Sequence, residues 1–203
     1  MNVETPIGNM KVNTKLRSNL LSTNKFTIMT QSVDEREHSG EMQYPYIAHI
    51  LNECNKQNIT ILPIMIGSIS KHKEQEYGTI LQDHLIHQPN IFTIISSDFC
   101  HWGTRFQYTP TDPTKAISSY IQWLDQLGMD QIEFKKPGAF VDYLKKYENT
   151  ICGRHPIAVY LFCVGGVDEV SIRFVKYSQS SEVKGMGESS VSYASAIVHR
   201  KIP

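Results

Sequence analysis

Ile91-Phe-Thr-Ile-Ile-Ser-Ser-Asp98-Phe-Cys100-His101-Trp102-Gly103 opens as an apolar, β-branched run. Within a few residues it ends in a carboxylate, a thiol, an imidazole and an indole. β-Branched residues favour strands, and in open α/β sheets ligands bind in the crevice beyond the carboxyl ends of the strands. The stretch therefore predicts a buried strand over 91–96 that delivers one wall of a site. Upstream, Ile59 to Ile66 is a second continuous apolar run, closed by Gly67-Ser68, in the pattern of a strand covered on both faces. Lys71 to His87 reads as a polar helix between the two. Downstream, Ile117, Tyr120, Ile121, Leu124 and Leu127 recur at helical spacing and predict an amphipathic helix stopped by Gly128. Phe140, Leu144 and Tyr147 repeat the pattern after Pro137. Pro156 to Val164 reads as a buried helix ended by Gly165-Gly166, and two β-rich segments follow, Val170 to Tyr177 and Ser190 to Val198.

Nearer the N-terminus, Phe26 to Thr30 is a short β-prone run. Residues 39–55 look helical, with Met42, Tyr46, Ile50 and Leu51 on one face and Pro45 marking an early turn or a kink. Alternating buried strands and helices predict a single α/β domain over residues 1–203, a three-layer αβα sandwich with a mixed, mostly parallel sheet. The first 25 residues contain no convincing buried strand, so the sheet is expected to lack its N-terminal strands.

Acids and bases balance at 20 each, so no net field argues for a nucleic acid partner. No apolar run approaches the ~20 residues of a membrane span, and the N-terminus lacks the apolar core of a signal peptide. Membrane insertion is not expected, and a cytoplasmic protein, or one that is also nuclear, is. Four widely spread cysteines do not make a disulfide framework in a chain of this size. Cys54 and Cys163 lie on apolar helical faces and read as core thiols.

Two clusters carry the chemistry. Asp98 and His101 are three positions apart, so on a turn their side chains can meet. A carboxylate there fixes the imidazole tautomer and suits either a general base or a metal ligand. The alternative is Asp98 as a helix cap with His101 packed on Trp102. The second cluster is Cys152-Gly-Arg154-His155-Pro156. Pro156 suits a first helical turn, which places Cys152 just before a helix N-terminus, where the dipole and Arg154 favour a thiolate. A small buried thiol is the alternative. Cys100, His101, Cys152 and His155 have the residue types of a zinc site, at a spacing only loosely diagnostic. His38 and Glu41 stand three apart at a helix start, where a capping box would look similar.

Glu37-His-Ser-Gly-Glu-Met-Gln-Tyr-Pro-Tyr46, the segment 96–106, Tyr143-Leu-Lys-Lys-Tyr147 with Asn149-Thr-Ile-Cys-Gly-Arg-His-Pro156, and Ser189-Ser-Val-Ser-Tyr-Ala194 together resemble the Memo family. The likeness runs from Thr5-Pro6 to His199. It implies a fold like that of the LigB-type non-haem iron extradiol dioxygenases and a role in receptor-driven cell motility. It also implies a pocket around a metal held by two histidines and a cysteine, with iron or copper as the candidate ions. Cys152 matches that cysteine, Asp98 and His101 match polar residues beside the metal, and His38 and Glu41 match a motif lining the same cleft. Both family histidines belong to a portion upstream of Thr5-Pro-Ile-Gly8, so this chain is expected to be either a truncated form or a short paralogue without the metal site.

Three functions follow as expectations. The first is a Memo-like binding module with a vestigial metal-type cleft. Its partner would be a protein or phosphopeptide, received by Trp102, Phe106, Tyr108, Arg105 and Arg154 through stacking and a bidentate guanidinium. The second is a metal-dependent redox enzyme with His101 as acid/base group. The third is a thiol hydrolase with Cys152 as nucleophile, to which the resemblance lends nothing. An exposed sheet edge is expected to favour self-association.

Overall fold

Helices form where apolar residues recur every three to four positions, and β-rich runs become strands where a neighbouring run meets their backbone groups. The computed structural model describes residues 1–201 other than 87 and 89. His87, the last residue of the helix expected from Lys71, lies outside them. The chain divides into two compact units, Met1–Met65 and Ile66–Pro203.

In the first unit, β1 (Asn2–Val3) and β2 (Met10–Lys11) pair antiparallel. They are followed by α1 (Thr14–Ser22), the short α2 (Gln31–Asp34) and α3 (Tyr44–Glu53). Asn13 caps α1 by accepting from the Leu16 N–H at 2.9 Å. Pro45 sits in the first turn of α3, where it opens the helix and does not kink it. Ala48 is the buried residue of α3, whereas Met42, Tyr46 and Ile50 are exposed, so the expected apolar face is not the packed one. Cys54 is exposed, not a core thiol.

In the second unit, α4 (Lys71–Leu85) packs on α7 (Arg154–Val164), and α5 (Ile117–Glu133) packs on α6 (Pro137–Tyr147) and on β4 (Val170–Gln179). β4 pairs antiparallel with β5 (Ser190–Arg200), which pairs antiparallel with the two-residue β3 (His101–Trp102), in the order β3-β5-β4. Trp102, Phe140, Ile121, Leu124, Leu161 and Val164 form the fully buried centre. The helices expected around Ile117, Phe140 and Pro156, and both β-rich segments, are present.

α5 does not stop at Gly128 but runs to Glu133. A Cβ at Gly128 would lie 2.9 Å from Tyr143 Cε1, so this glycine permits the close approach of α6 and ends nothing. The chain is a mixed α/β protein, but Phe26–Thr30, Ile59–Ile66 and Ile91–Ser96 are not strands. Parallel pairing is confined, among the described residues, to an isolated bridge between Val12 and Ile61. Apolar β-branched composition permits an extended chain, and a ladder forms only where a neighbour meets the N–H and C=O groups. In the first run that contact is at Ile61, bonded to Lys11 and Asn13. In the second, pairing begins beyond the run, where the Phe99 N–H donates to Ser192 O.

Candidate functional site

The extended segment 96–100 turns into β3 because β5 receives it. The Phe99 N–H donates to Ser192 O at 2.8 Å and the Ser192 N–H to Cys100 O at 2.9 Å. Cys100 and Trp102 then face the core and are fully buried, while His101 points the other way, in keeping with the two-residue period of extended chain.

His101 is held at both ring nitrogens. Nε2 lies 3.2 Å from Asp98 Oδ2, and Nδ1 lies 3.0 Å from the Thr150 carbonyl oxygen. A neutral imidazole carries one N–H, whereas the imidazolium carries two. Two acceptors facing the two nitrogens therefore select the protonated ring. The Asp98 hydrogen bond is the largest cause holding the His101 pKa above its ordinary value, and partial burial opposes it. Phe106 meets the ring edge-on at 5.2 Å, and the exposed Arg105 guanidinium lies 4.4 Å from the Phe106 centroid.

The second cluster runs directly alongside. The Thr150 hydroxyl accepts from the His101 N–H at 2.7 Å and donates to His101 O at 3.2 Å. Three residues on, the Gly153 N–H donates to Ser97 Oγ at 2.9 Å. A Cβ at Gly153 would stand 2.5 Å from Ser97 Cβ and 2.8 Å from Ser96 O, so only glycine lets the two segments touch here. Cys152, between these contacts, is exposed. Gly153 is the N-cap of α7 and Pro156 lies in its first turn, as expected. Arg154, the first helical residue, is exposed.

Other candidates fall elsewhere. Trp102 is a core residue whose Nε1 donates to Pro110 O at 2.9 Å, so it does not rim a cleft. Tyr108 donates to Tyr147 O at 2.6 Å. His155 Nδ1 lies 2.7 Å from Glu74 Oε1, and Glu74 is almost fully buried on α4. Burial pushes the Cys163 thiol up to about 12 and the Cys100 thiol higher still, with the Asp125 charge adding to the latter. These two thiols are inert core groups. His38 and Glu41 are both exposed in the first unit. There Glu37, not Glu41, accepts from backbone N–H groups, those of Ser39 at 2.7 Å and Gly40 at 2.8 Å.

The residues present do not by themselves fit an iron, copper or zinc ion. Among the described residues no three His, Cys, Asp or Glu side chains gather where one ion could be held, and both His101 nitrogens are engaged. The sequence reading missed Glu74 and Asp125. Asp125 had a visible signal, since it interrupts the apolar stripe of α5 between Leu124 and Gly128.

No helix of the described residues is long and apolar enough to cross a membrane. The family model described as Memo-like protein matches residues 1–197. The zebrafish (Danio rerio) protein named Protein MEMO1 is 44% identical over 96% of this chain and 67% of its own length. Its human (Homo sapiens) namesake is 42% identical over 94% of this chain and 65% of its own length. A Caenorhabditis elegans protein named memo-1 homolog is 41% identical over 96% of this chain and 56% of its own length. The chain thus spans about two thirds of the length of the vertebrate relatives. With a family model covering nearly every residue and relatives above 40% identity, the chain belongs to the Memo-like protein family.

Proposed function

We propose that this chain works as a cytoplasmic Memo-type binding module in cell-motility signalling, with the His101 cleft as its recognition site and no turnover of its own. The observation that carries the reading is the double engagement of His101. A general base needs a nitrogen free to take a proton from substrate, and a metal ligand needs a lone pair. Here one nitrogen faces Asp98 and the other the Thr150 carbonyl oxygen. What the arrangement offers instead is a held positive ring with an aromatic edge and an exposed guanidinium stacked beyond it.

Such a surface suits an anionic aromatic group, and a phosphotyrosine peptide is the proposed partner. Arg105 and Arg154 are the guanidinium donors able to grip a phosphate in bidentate fashion. Titration of a phosphotyrosine peptide and its unphosphorylated twin against wild type, Arg154→Ala and Arg105→Ala tests this. The phosphorylated form is expected to bind more tightly and to lose at least tenfold in one of the two variants. Equal affinity for both peptides would remove the reading. The LigB-like three-layer sandwich stays part of the proposal as the frame of the family, supported by family membership.

A further inference from the structure

Behind the candidate cleft lies a fully buried carboxylate that the recognition reading does not use. Asp125, on α5, is 0% exposed. Asn149 Nδ2 donates to its Oδ1 at 2.9 Å and the Tyr177 hydroxyl to its Oδ2 at 2.9 Å. The Ser192 side chain and the Cys100 backbone N–H also stabilise its charged form. These two donors and two stabilising groups come from four separate segments: the approach to β3, the loop after α6, β4 and β5. Two of them adjoin the cleft in sequence, since Cys100 precedes His101 and Asn149 precedes Thr150.

From this geometry we infer that Asp125 is the positioning residue of the cleft, the tie that sets the Asp98–His101 wall against the Thr150–Cys152 wall. The inference rests on the reading of the His101 cleft as the functional site. Asn149 shows how strongly the carboxylate dictates orientation. Its amide gives both protons to the hub, one to Asp125 and one to the Tyr143 hydroxyl at 2.7 Å. That leaves Asn149 Oδ1 buried without a partner among the described residues. Turning the amide over would set that oxygen against the Asp125 carboxylate. A buried amide oxygen is costly to leave bare, so the Asp125 oxygen that accepts from the Asn149 amide determines which way Asn149 faces and, through it, where Thr150 begins. Tyr177 is held in turn by Gln179 Nε2 at 3.1 Å, and Tyr143 donates to Leu124 O at 2.9 Å, so the hub is braced on both sides.

The test is proton and nitrogen NMR of the His101 ring in the full chain. Wild type should show both ring N–H protons at low field and protected from exchange. Asp125→Asn, and separately Asn149→Ala, should lose at least the Nδ1–H signal that reports the Thr150 contact. The exchanged pair Asp125→Asn with Asn149→Asp restores an amide-to-carboxylate contact and should recover it. Leu161→Ala, a core truncation outside the hub, should lower the melting temperature yet keep both signals. Asn149→Ala keeps the carboxylate and supplies the reading if Asp125→Asn does not fold. Both signals persisting in folded Asn149→Ala or Asp125→Asn would overturn the inference. Absence of two protected protons in wild type would instead overturn the reading of the cleft itself.

Discussion

Replacing Asp98 by asparagine changes the charge beside His101 with almost no change of shape. In the native protein the carboxylate accepts from Nε2–H while Thr150 O accepts from Nδ1–H. A hydrogen bond between charged groups contributes about 1.5–3 kcal/mol when shielded, and an exposed ion pair about 0.2–1 kcal/mol. The two side chains retain 23% and 29% of their surface, so this contact lies between the limits, at about 1 kcal/mol. Its pH dependence has a definite sign. The folded His101 value lies above the ordinary 6.5, so its stabilising contribution is complete below 6.5 and is lost as pH rises through the raised folded value. The amide introduced in place of the carboxylate can donate to a neutral Nε2, which leaves Nδ1–H on Thr150 and removes the preference for the charged ring. Asp98→Asn should therefore cost about 1 kcal/mol near pH 5.5 and little near pH 9. With urea slopes of about 1–3 kcal/mol/M, the midpoint should fall by roughly 0.3–1 M at the lower pH. A double-mutant cycle with His101→Ala should recover most of the cost as coupling. An equal loss at both pH values, or no coupling, would refute the argument that two acceptors select the imidazolium.

The other expectations concern packing and surface. Gly128→Val should destabilise by about 1–3 kcal/mol, because its Cβ meets the Tyr143 ring at 2.9 Å. Unchanged thermal stability would mean the α5–α6 contact is looser than described. Trp102→Ala should cost about 3–5 kcal/mol, and Trp102→Phe distinctly less; a near-neutral alanine would contradict its place in the core. In native thiol titration, Cys54 and Cys152 should react and Cys100 and Cys163 should not, since the first two are exposed and burial raises the others; four fast thiols would oppose this. Phe92 and Ile94 are exposed within the run 91–96, so Phe92→Ser/Ile94→Lys should lower any self-association seen by sedimentation, and an unaltered profile would place the contact elsewhere.

Local pattern was sufficient for a specific set of elements. Helical spacing located α5 and α6, the Pro-led apolar run located α7, and β4 and β5 lay in plain β-rich runs. Asp98 and His101 are expected to meet on a turn; they do meet, but on extended chain running into β3. These features are short-range, so the residues that decide them are neighbours in the chain. Tertiary structure decided the rest. Whether 59–66 and 91–96 become strands depends on a partner that composition cannot name. Whether Gly128 ends a helix or admits one depends on Tyr143, on the next helix along the chain. That His101 faces the Thr150 carbonyl, that His155 rests on Glu74, and that Asp125 accepts from Asn149 and Tyr177 are long-range contacts. A sequence lists donors and acceptors, but the energy of each depends on burial and on the atom opposite, and both exist only once the chain has packed.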